Sequence, residues 1–289
     1  MSFRIVVLAK QVPDTRNVGK DAMKADGTVN RGALPAIFNP EDLHALEQAL
    51  SIKDRLDDVE IIILTMGPPR AAEIIREALY RGADRGFLVT DRKFAGSDTL
   101  ATSYALSLAI KKLEPQLVLA GRQAIDGDTA QVGPQVAEKL DIPQVTYCEE
   151  VLEVKQDELL VKRRLERGVE SVKCKTPLLL TVHSSADPCR PRHAKLLMKF
   201  KHARTVSELQ EETKDYTEMM SNKPYLRIEE WSVAELDADV ELLGLSGSPT
   251  KVKKIENVVL ARKDSVNLTA VDKDIDYLMK ELIDSHVIG

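Results

Sequence analysis

Gly121-Arg122-Gln123-Ala124-Ile125-Asp126-Gly127-Asp128-Thr129-Ala130-Gln131-Val132-Gly133-Pro134 is the stretch on which the reading of this chain turns. It follows the apolar run Leu117 to Ala120, which reads as a short buried strand, and leads into Val136 to Leu140, which reads as helix. A strand, a polar glycine-containing loop and a helix start together make an anion-binding geometry. The N–H groups of the loop and first helical turn lack partners within the helix, and the helix dipole favours negative charge there. Pro134 sets a condition, because a helix begun at Thr129 would lose a hydrogen bond at the proline. Either the first turn is irregular or the regular helix begins near Gly133.

Upstream, Phe3 to Ala9, Val59 to Met66 and Phe87 to Thr90 are further apolar, β-branched runs of strand length. They alternate with helical spacing up to Arg55, over Ala71 to Arg81 and over Leu100 to Lys112. Strand and helix therefore alternate four times, which predicts an α/β fold with a parallel, Rossmann-like sheet, helices on both faces and right-handed crossovers. Lys10 to Gly32, with Pro13, Asp14, Gly19 and Asp26-Gly27, reads as a long loop at the carboxyl end of the first strand, where open α/β sheets keep their ligands. Asn39 reads as an N-cap and Pro40 as the first residue of the next helix. Phe94 to Ser103 is a small-residue loop in which Ser97 or Asp98 can cap the helix that follows.

After Pro143 the pattern changes. Val145 to Val154, Glu158 to Leu165, Glu170 to Cys174 and Leu178 to His183 read as an antiparallel meander attached to or extending the parallel sheet. His183 beside Ser184-Ser185 makes no catalytic set, since no acid is identified and geometry defines a triad. Asp187 to Ser207 is basic, with Leu196, Leu197, Met198 and Phe200 interleaved among Arg190, Arg192, His193, Lys195, Lys199, Lys201, His202 and Arg204. A solvated charged face is one explanation; an apolar cluster rimmed by charge, hence a partner surface, is the other. Residues 222–289 read as an arm with little core of its own that wraps a partner. It contains a turn-rich stretch Leu242 to Val252, a candidate strand Ile255 to Leu260 and an amphipathic helix Val271 to Ile283. The expected division is thus 1–221 and 222–289.

With 289 residues and 43% hydrophobic content, the chain can bury a full core. The formal net charge of -5 gives no global case for nucleic acid or membrane binding. Three cysteines without CxxC spacing argue against a disulfide framework or zinc site. No metal-ligand cluster or membrane-length run is visible, no basic region with a long apolar stretch opens the chain, and cytoplasm is the expected location.

Nearly end to end, these residues resemble the beta subunit of electron transfer flavoprotein. Gly121 to Pro134 carries the resemblance most specifically, joined by Asn39-Pro40 before a helix, Gly82-Ala83-Asp84-Arg85 and Pro191-Arg192-His193-Ala194-Lys195-Leu196. The resemblance implies a heterodimer with an alpha subunit that holds the transferring FAD, and an adenine nucleotide, FAD or AMP, on this chain. By position, the nucleotide site would comprise Leu8, Ala9, Asn39, Pro40, Glu41, Asp42, Met66 and Gly121 to Val132. Asn39 to Asp42, Ser97-Asp98-Thr99-Leu100-Ala101-Thr102-Ser103, Asp126 to Val132 and Gly247 to Val252 are similar to the flavin-bifurcating branch. That similarity implies FAD and adds Ser97, Asp98, Thr99 and Thr102 to the cofactor set.

Within the loop, Asp126 and Asp128 are expected to cap their own backbone, the N–H groups of Gly127, Thr129, Ala130 and Gln131 to bind phosphates, and Arg122 to offer charge near the pyrophosphate or the partner. Leu196 would anchor an acyl-CoA dehydrogenase-type partner, with Arg192 and Leu197 beside it. A bifurcating member would take hydride from NADH and send one electron to the alpha-subunit FAD and one to a low-potential, ferredoxin-side acceptor. The acceptor would be on the ferredoxin or quinone side, and the alternative is a non-bifurcating beta subunit with structural AMP. The competing class is an ATP-sensing adenine nucleotide-binding protein without flavin.

Overall fold

The structure is a computed structural model that describes residues 2–14, 35–155, 157–211, 217–250 and 265–288. Contacts divide the chain into two units, Met1–Lys253 and Lys254–Gly289.

The larger unit is built on the apolar runs noted above. Phe3–Leu8 (β1) is followed by a short antiparallel pair, Gln11–Pro13 (β2) and Ala36–Phe38 (β3), and then by Pro40–Lys53 (α1), Val59–Met66 (β4), Ala72–Arg81 (α2) and Arg85–Val89 (β5). Thr99–Leu113 (α3), Leu117–Gly121 (β6) and Val132–Leu140 (α4) complete the alternating half. Gln144–Lys155 (β7), Glu158–Leu165 (β8), Gly168–Lys175 (β9) and Leu178–Val182 (β10) follow. The remainder is short: Ala194–Phe200 (α5), Val206–Glu211 (α6), Thr217–Asn222 (α7), Glu229–Trp231 (β11) and Val233–Leu236 (α8).

Among the described residues, nine strands form one sheet in the order β11-β5-β4-β1-β6-β10-β7-β8-β9. All neighbours from β11 to β7 are parallel, whereas β7-β8 and β8-β9 are antiparallel. β1 is buried on both faces, and its alternation splits the core. Ile5 and Val7 pack with Ala45, Leu46, Ile74 and Ile75 of α1 and α2. Val6 and Leu8 pack with Leu106, Ile110 and Val136 of α3 and α4. The chain moves outward from β1 through β4 to β5, then returns across β1 to β6. The carboxyl ends of β1 and β6 therefore flank the point where strand order reverses, where such sheets form a crevice.

Two expectations are corrected. Leu178–Val182 does not belong to the antiparallel meander; it lies between β6 and β7, parallel to both. Its five residues are all buried, as an interior parallel strand requires, while β7 buries only Val145, Cys148 and Val151 and β9 is largely exposed. The segment from Asn222 is also not peripheral throughout. Leu226, Ile228, Val233, Leu236 and Leu243 are buried in the core and β11 extends the sheet beside β5, so the larger unit runs on to Lys253. These apolar residues sit on short turns and follow no single period, which hid their burial.

In the smaller unit, Asp272–Asp284 (α9) is the expected amphipathic helix; Ile275, Leu278, Met279 and Ile283 are exposed. The candidate strand Ile255 to Leu260 and most of the Lys10 to Gly32 loop lie outside the described residues. Among the described residues, no helix is long and apolar enough to cross a membrane, and no cluster of potential metal ligands occurs.

Candidate functional site

The start of α1 is a clamp for the loop after β6. Pro40 occupies the first helical turn, where its missing N–H costs nothing. Asn39 precedes it but makes no side-chain cap. Fully buried, it donates from Nδ2 to the Gln123 carbonyl at 2.9 Å and accepts the Ile125 N–H at 3.3 Å. Its expected capping role is corrected to a long-range one. Glu41 accepts the Gln123 N–H at 3.0 Å and pairs with Arg122 at 2.9 Å. Asp42 accepts the Lys10 N–H at 2.8 Å and the Gly121 N–H at 3.2 Å, tying together the ends of β1 and β6. Burial pushes the Asp42 carboxyl up to about 7, although Asn39, these two N–H groups and the Lys10 ammonium pull it back. Gly121 is required by this approach, since a Cβ there would overlap the Asp42 carboxylate and the backbone of Glu41 and Asp42.

Beyond Gln123 the loop turns on itself. The Gly127 and Asp128 N–H groups both donate to the Ala124 carbonyl, at 3.3 and 2.9 Å. Asp128 and Ala130 then adopt left-handed φ values of 49° and 53°. The N–H groups of Thr129, Ala130, Gln131, Val132 and Gly133 make no hydrogen bond among the described residues. Consecutive unpaired N–H groups, curled by left-handed residues onto a helix N-terminus, form an anion-binding concavity. Gly127, expected to be a phosphate donor, is already used inside the loop, and the free run extends to Gly133 instead.

Helix α4 begins at Val132 with Gln131 preceding it, so Pro134 falls in the first turn, where an N–H would be unpaired in any case. The two carboxylates do not face their own backbone as expected. Asp126 pairs with Lys10 at 2.7 Å, and Asp128 accepts from the Gln123 side chain at 2.8 Å. Each is drawn to a nearby donor that leaves the turn N–H groups open. Arg122 keeps a position on the cleft wall, but its guanidinium is engaged by Glu41.

These elements form one wall of a cleft of about 1200 Å³ at the switch point. Its floor is Leu8, Ala9, Met66 and Ala120 at strand ends, and the opposite wall is Thr90 to Thr99 with Thr102. Asp98 caps α3 through the Leu100 and Ala101 N–H groups and also accepts the Thr250 N–H at 3.1 Å. Despite partial desolvation, these backbone donors hold its carboxyl below the usual range. Ser248 accepts the Asp98 N–H at 2.8 Å, and the Gly244 N–H reaches Ser97 at 3.2 Å, so the turn-rich stretch buttresses this wall.

Of the residues expected to bind cofactor, Leu8, Ala9, Asp42, Met66, Ser97, Asp98, Thr99 and Thr102 line the cleft, as does the loop apart from Ile125 and Asp128. Asn39, Pro40 and Glu41 do not line it; two of them position the loop that does. Lys10, Thr90, Asp91, Arg92, Gly133 and Thr250 also line the cleft although none of them was among the expected site residues. Position just past a strand end was the available signal for Lys10, Thr90 and Arg92.

Elsewhere, the Ser185 hydroxyl donates to Glu149 at 2.9 Å and the Ser185 N–H donates to His183 Nδ1 at 3.1 Å. Serine thus lies between acid and imidazole, an order that cannot run triad chemistry. In the basic stretch, Phe200 enters the core and Leu196 and Leu197 are half-buried, while Met198 is 61% exposed and Arg192 pairs with Glu77 at 3.4 Å.

Sheet, crevice and loop define an open, mostly parallel α/β protein with a cleft at its switch point, walled on one side by the N–H groups of Thr129 to Gly133. The electron transfer flavoprotein domain matches residues 26–208. The electron transfer flavoprotein subunit beta of Clostridium acetobutylicum is 42% identical over 286 residues, covering 99% of this chain and 100% of that protein. The acryloyl-CoA reductase electron transfer subunit gamma of Anaerotignum propionicum is 42% identical over 292 residues, with the same coverage. The caffeyl-CoA reductase-Etf complex subunit CarD of Acetobacterium woodii is 38% identical over 289 residues, again covering 99% and 100%. The chain belongs to the electron transfer flavoprotein beta-subunit family.

Proposed function

We propose that this chain is the beta subunit of a cytoplasmic heterodimeric electron transfer flavoprotein and that its cleft holds FAD. The observation that carries the reading is the run of five unpaired N–H groups, Thr129 to Gly133, opening onto the cleft. They supply backbone donors of the kind that cradle a phosphate. The size of the cleft favours FAD over AMP, because about 1200 Å³ exceeds the roughly 300–1,000 Å³ of sites for drug-sized ligands. Ala95, Gly96 and Ser97 put three consecutive small residues on the wall opposite the loop, which suits a planar ring.

In this reading Asn39, Glu41 and Asp42 hold the loop in shape, Thr129 to Gly133 bind phosphate, and the 90–99 wall with Thr250 encloses the far half of the ligand. Bound FAD supplies hydride acceptance and single-electron transfer, and the protein supplies position and electrostatics. NADH is the donor, the alpha-subunit FAD and a ferredoxin-side acceptor receive one electron each, and an acyl-CoA dehydrogenase-type flavoenzyme docks at Arg192, Leu196 and Leu197. Residues 254–289 serve as an arm for the alpha subunit, with the exposed apolar face of α9 as its contact.

The test is acid release of ligand from the protein purified with its alpha subunit, followed by chromatography. Two FAD per heterodimer is expected. One FAD together with AMP would overturn the bifurcating reading, and a colourless complex releasing ATP would overturn the flavoprotein reading of the cleft.

A further inference from the structure

Among the described residues, Lys10, Arg92 and Arg122 are the cations of the cleft lining. Arg122 is engaged by Glu41, and Lys10 bonds both Asp126 carboxylate oxygens, at 2.7 and 3.0 Å. The Lys10–Asp126 pair joins the end of β1 to the loop, three residues before the unpaired N–H groups begin. The Lys10 backbone is fixed on both sides, its N–H donating to Asp42 at 2.8 Å and its carbonyl accepting the Asn39 N–H at 3.0 Å. Its side chain is not fixed in the same way: it is 48% exposed, and Asp126 is its partner. With Asp126 19% exposed and the lysine nearly half exposed, the pair is screened by solvent on the lysine side and contributes modestly. The phosphomonoester of AMP carries close to two negative charges, and the pyrophosphate of FAD one on each of its two phosphates, against the single charge of a carboxylate.

We infer that Lys10 is a phosphate-responsive positioning residue and that Asp126 is its internal competitor. In the free protein Lys10 is held by Asp126. When the phosphate of a nucleotide seats on Thr129 to Gly133, Lys10 exchanges Asp126 for that phosphate. Asp126 thereby lowers nucleotide affinity twice, by holding the cation and by placing a negative charge close to the phosphate. This rests on the nucleotide reading of the cleft and adds to it a sign: removal of an acidic residue from the loop should improve binding. A residue that merely braced the loop would give the opposite result.

The heterodimer, stripped of ligand, is titrated calorimetrically with AMP and with FAD at low and high salt. Asp126→Asn is expected to tighten binding about 5-fold, the size of a surface charge effect, and Lys10→Met to weaken it by a similar factor. The double variant is expected to bind more tightly than Lys10→Met but more weakly than Asp126→Asn, because the repulsion by Asp126 is gone while the cation is still missing, and both lysine variants to lose part of the salt dependence seen in the wild type. Thermal melting of each ligand-free variant checks that the fold is intact. Weakened binding by Asp126→Asn, or affinity indifferent to both substitutions, would overturn the exchange. A wild type that binds neither probe would overturn the nucleotide reading itself, which is a separate failure from binding that ignores Asp126.

Discussion

The side-chain amide of Asn39 donates to the backbone carbonyl of Gln123 at 2.9 Å, across 84 residues of chain. With the Ile125 N–H returned to Asn39 Oδ1, one buried side chain satisfies two backbone groups of the loop. Asn39→Ala should therefore cost about 1–3 kcal/mol in urea unfolding, the range for leaving buried polar groups unpaired. Loss of nucleotide affinity should accompany it. A variant with unchanged unfolding midpoint and affinity would show that the loop keeps its shape without the clamp.

The two glycines of the loop should separate cleanly. Gly121→Ala places a Cβ into the Asp42 carboxylate and the backbone of α1, and overpacking of that kind costs about 1–3 kcal/mol. Gly127 faces open space and has no left-handed φ, so Gly127→Ala should stay within about 0.5 kcal/mol of wild type. Equal effects in chemical denaturation would mean that α1 and β6 do not approach as described.

Asp42 sets a pH dependence of definite sign. Its carboxyl is raised in the folded protein to about 7 from an ordinary 3.8, chiefly by burial. Between those values the folded state holds a proton that the unfolded state has released, so this group makes stability fall as pH rises from about 4 to about 7. Glu149 acts oppositely. Hydrogen bonds from Arg164, Lys162 and Ser185 lower it from 4.5 to about 2, and its contribution is present above 4.5 and lost as pH falls towards 2. Urea stability measured from pH 4 to 8 should fall less steeply in Asp42→Asn than in wild type. Parallel curves would contradict the buried, proton-holding carboxyl.

The loop and the alternating half of the fold were legible because their signals are local. Val59–Met66 and Glu158–Leu165 have the ends that their apolar patterns set, and Asp98 caps α3 through N–H groups two and three residues ahead. What was illegible depends on distant partners. Asn39 has the local signature of a cap, but the loop carbonyl it meets is 84 residues away, and the Asp98–Ser248 bond spans 150. Leu178–Val182 was read with its sequence neighbours, although its pairing with β6 crosses the whole meander. Arg92 and Thr90 carry no pattern of their own and reach the cleft only because β5 ends there.

The central claim is that one cleft, gripping phosphate at Thr129 to Gly133, takes the FAD of this chain. The most direct measurement is competition: the ligand-stripped heterodimer, with its alpha-subunit flavin restored, is titrated with FAD followed by flavin fluorescence, at increasing AMP. Mutually exclusive binding at one site is predicted, with apparent FAD affinity falling in proportion to AMP concentration. FAD binding that AMP leaves unchanged, or no uptake of a second FAD, would contradict it.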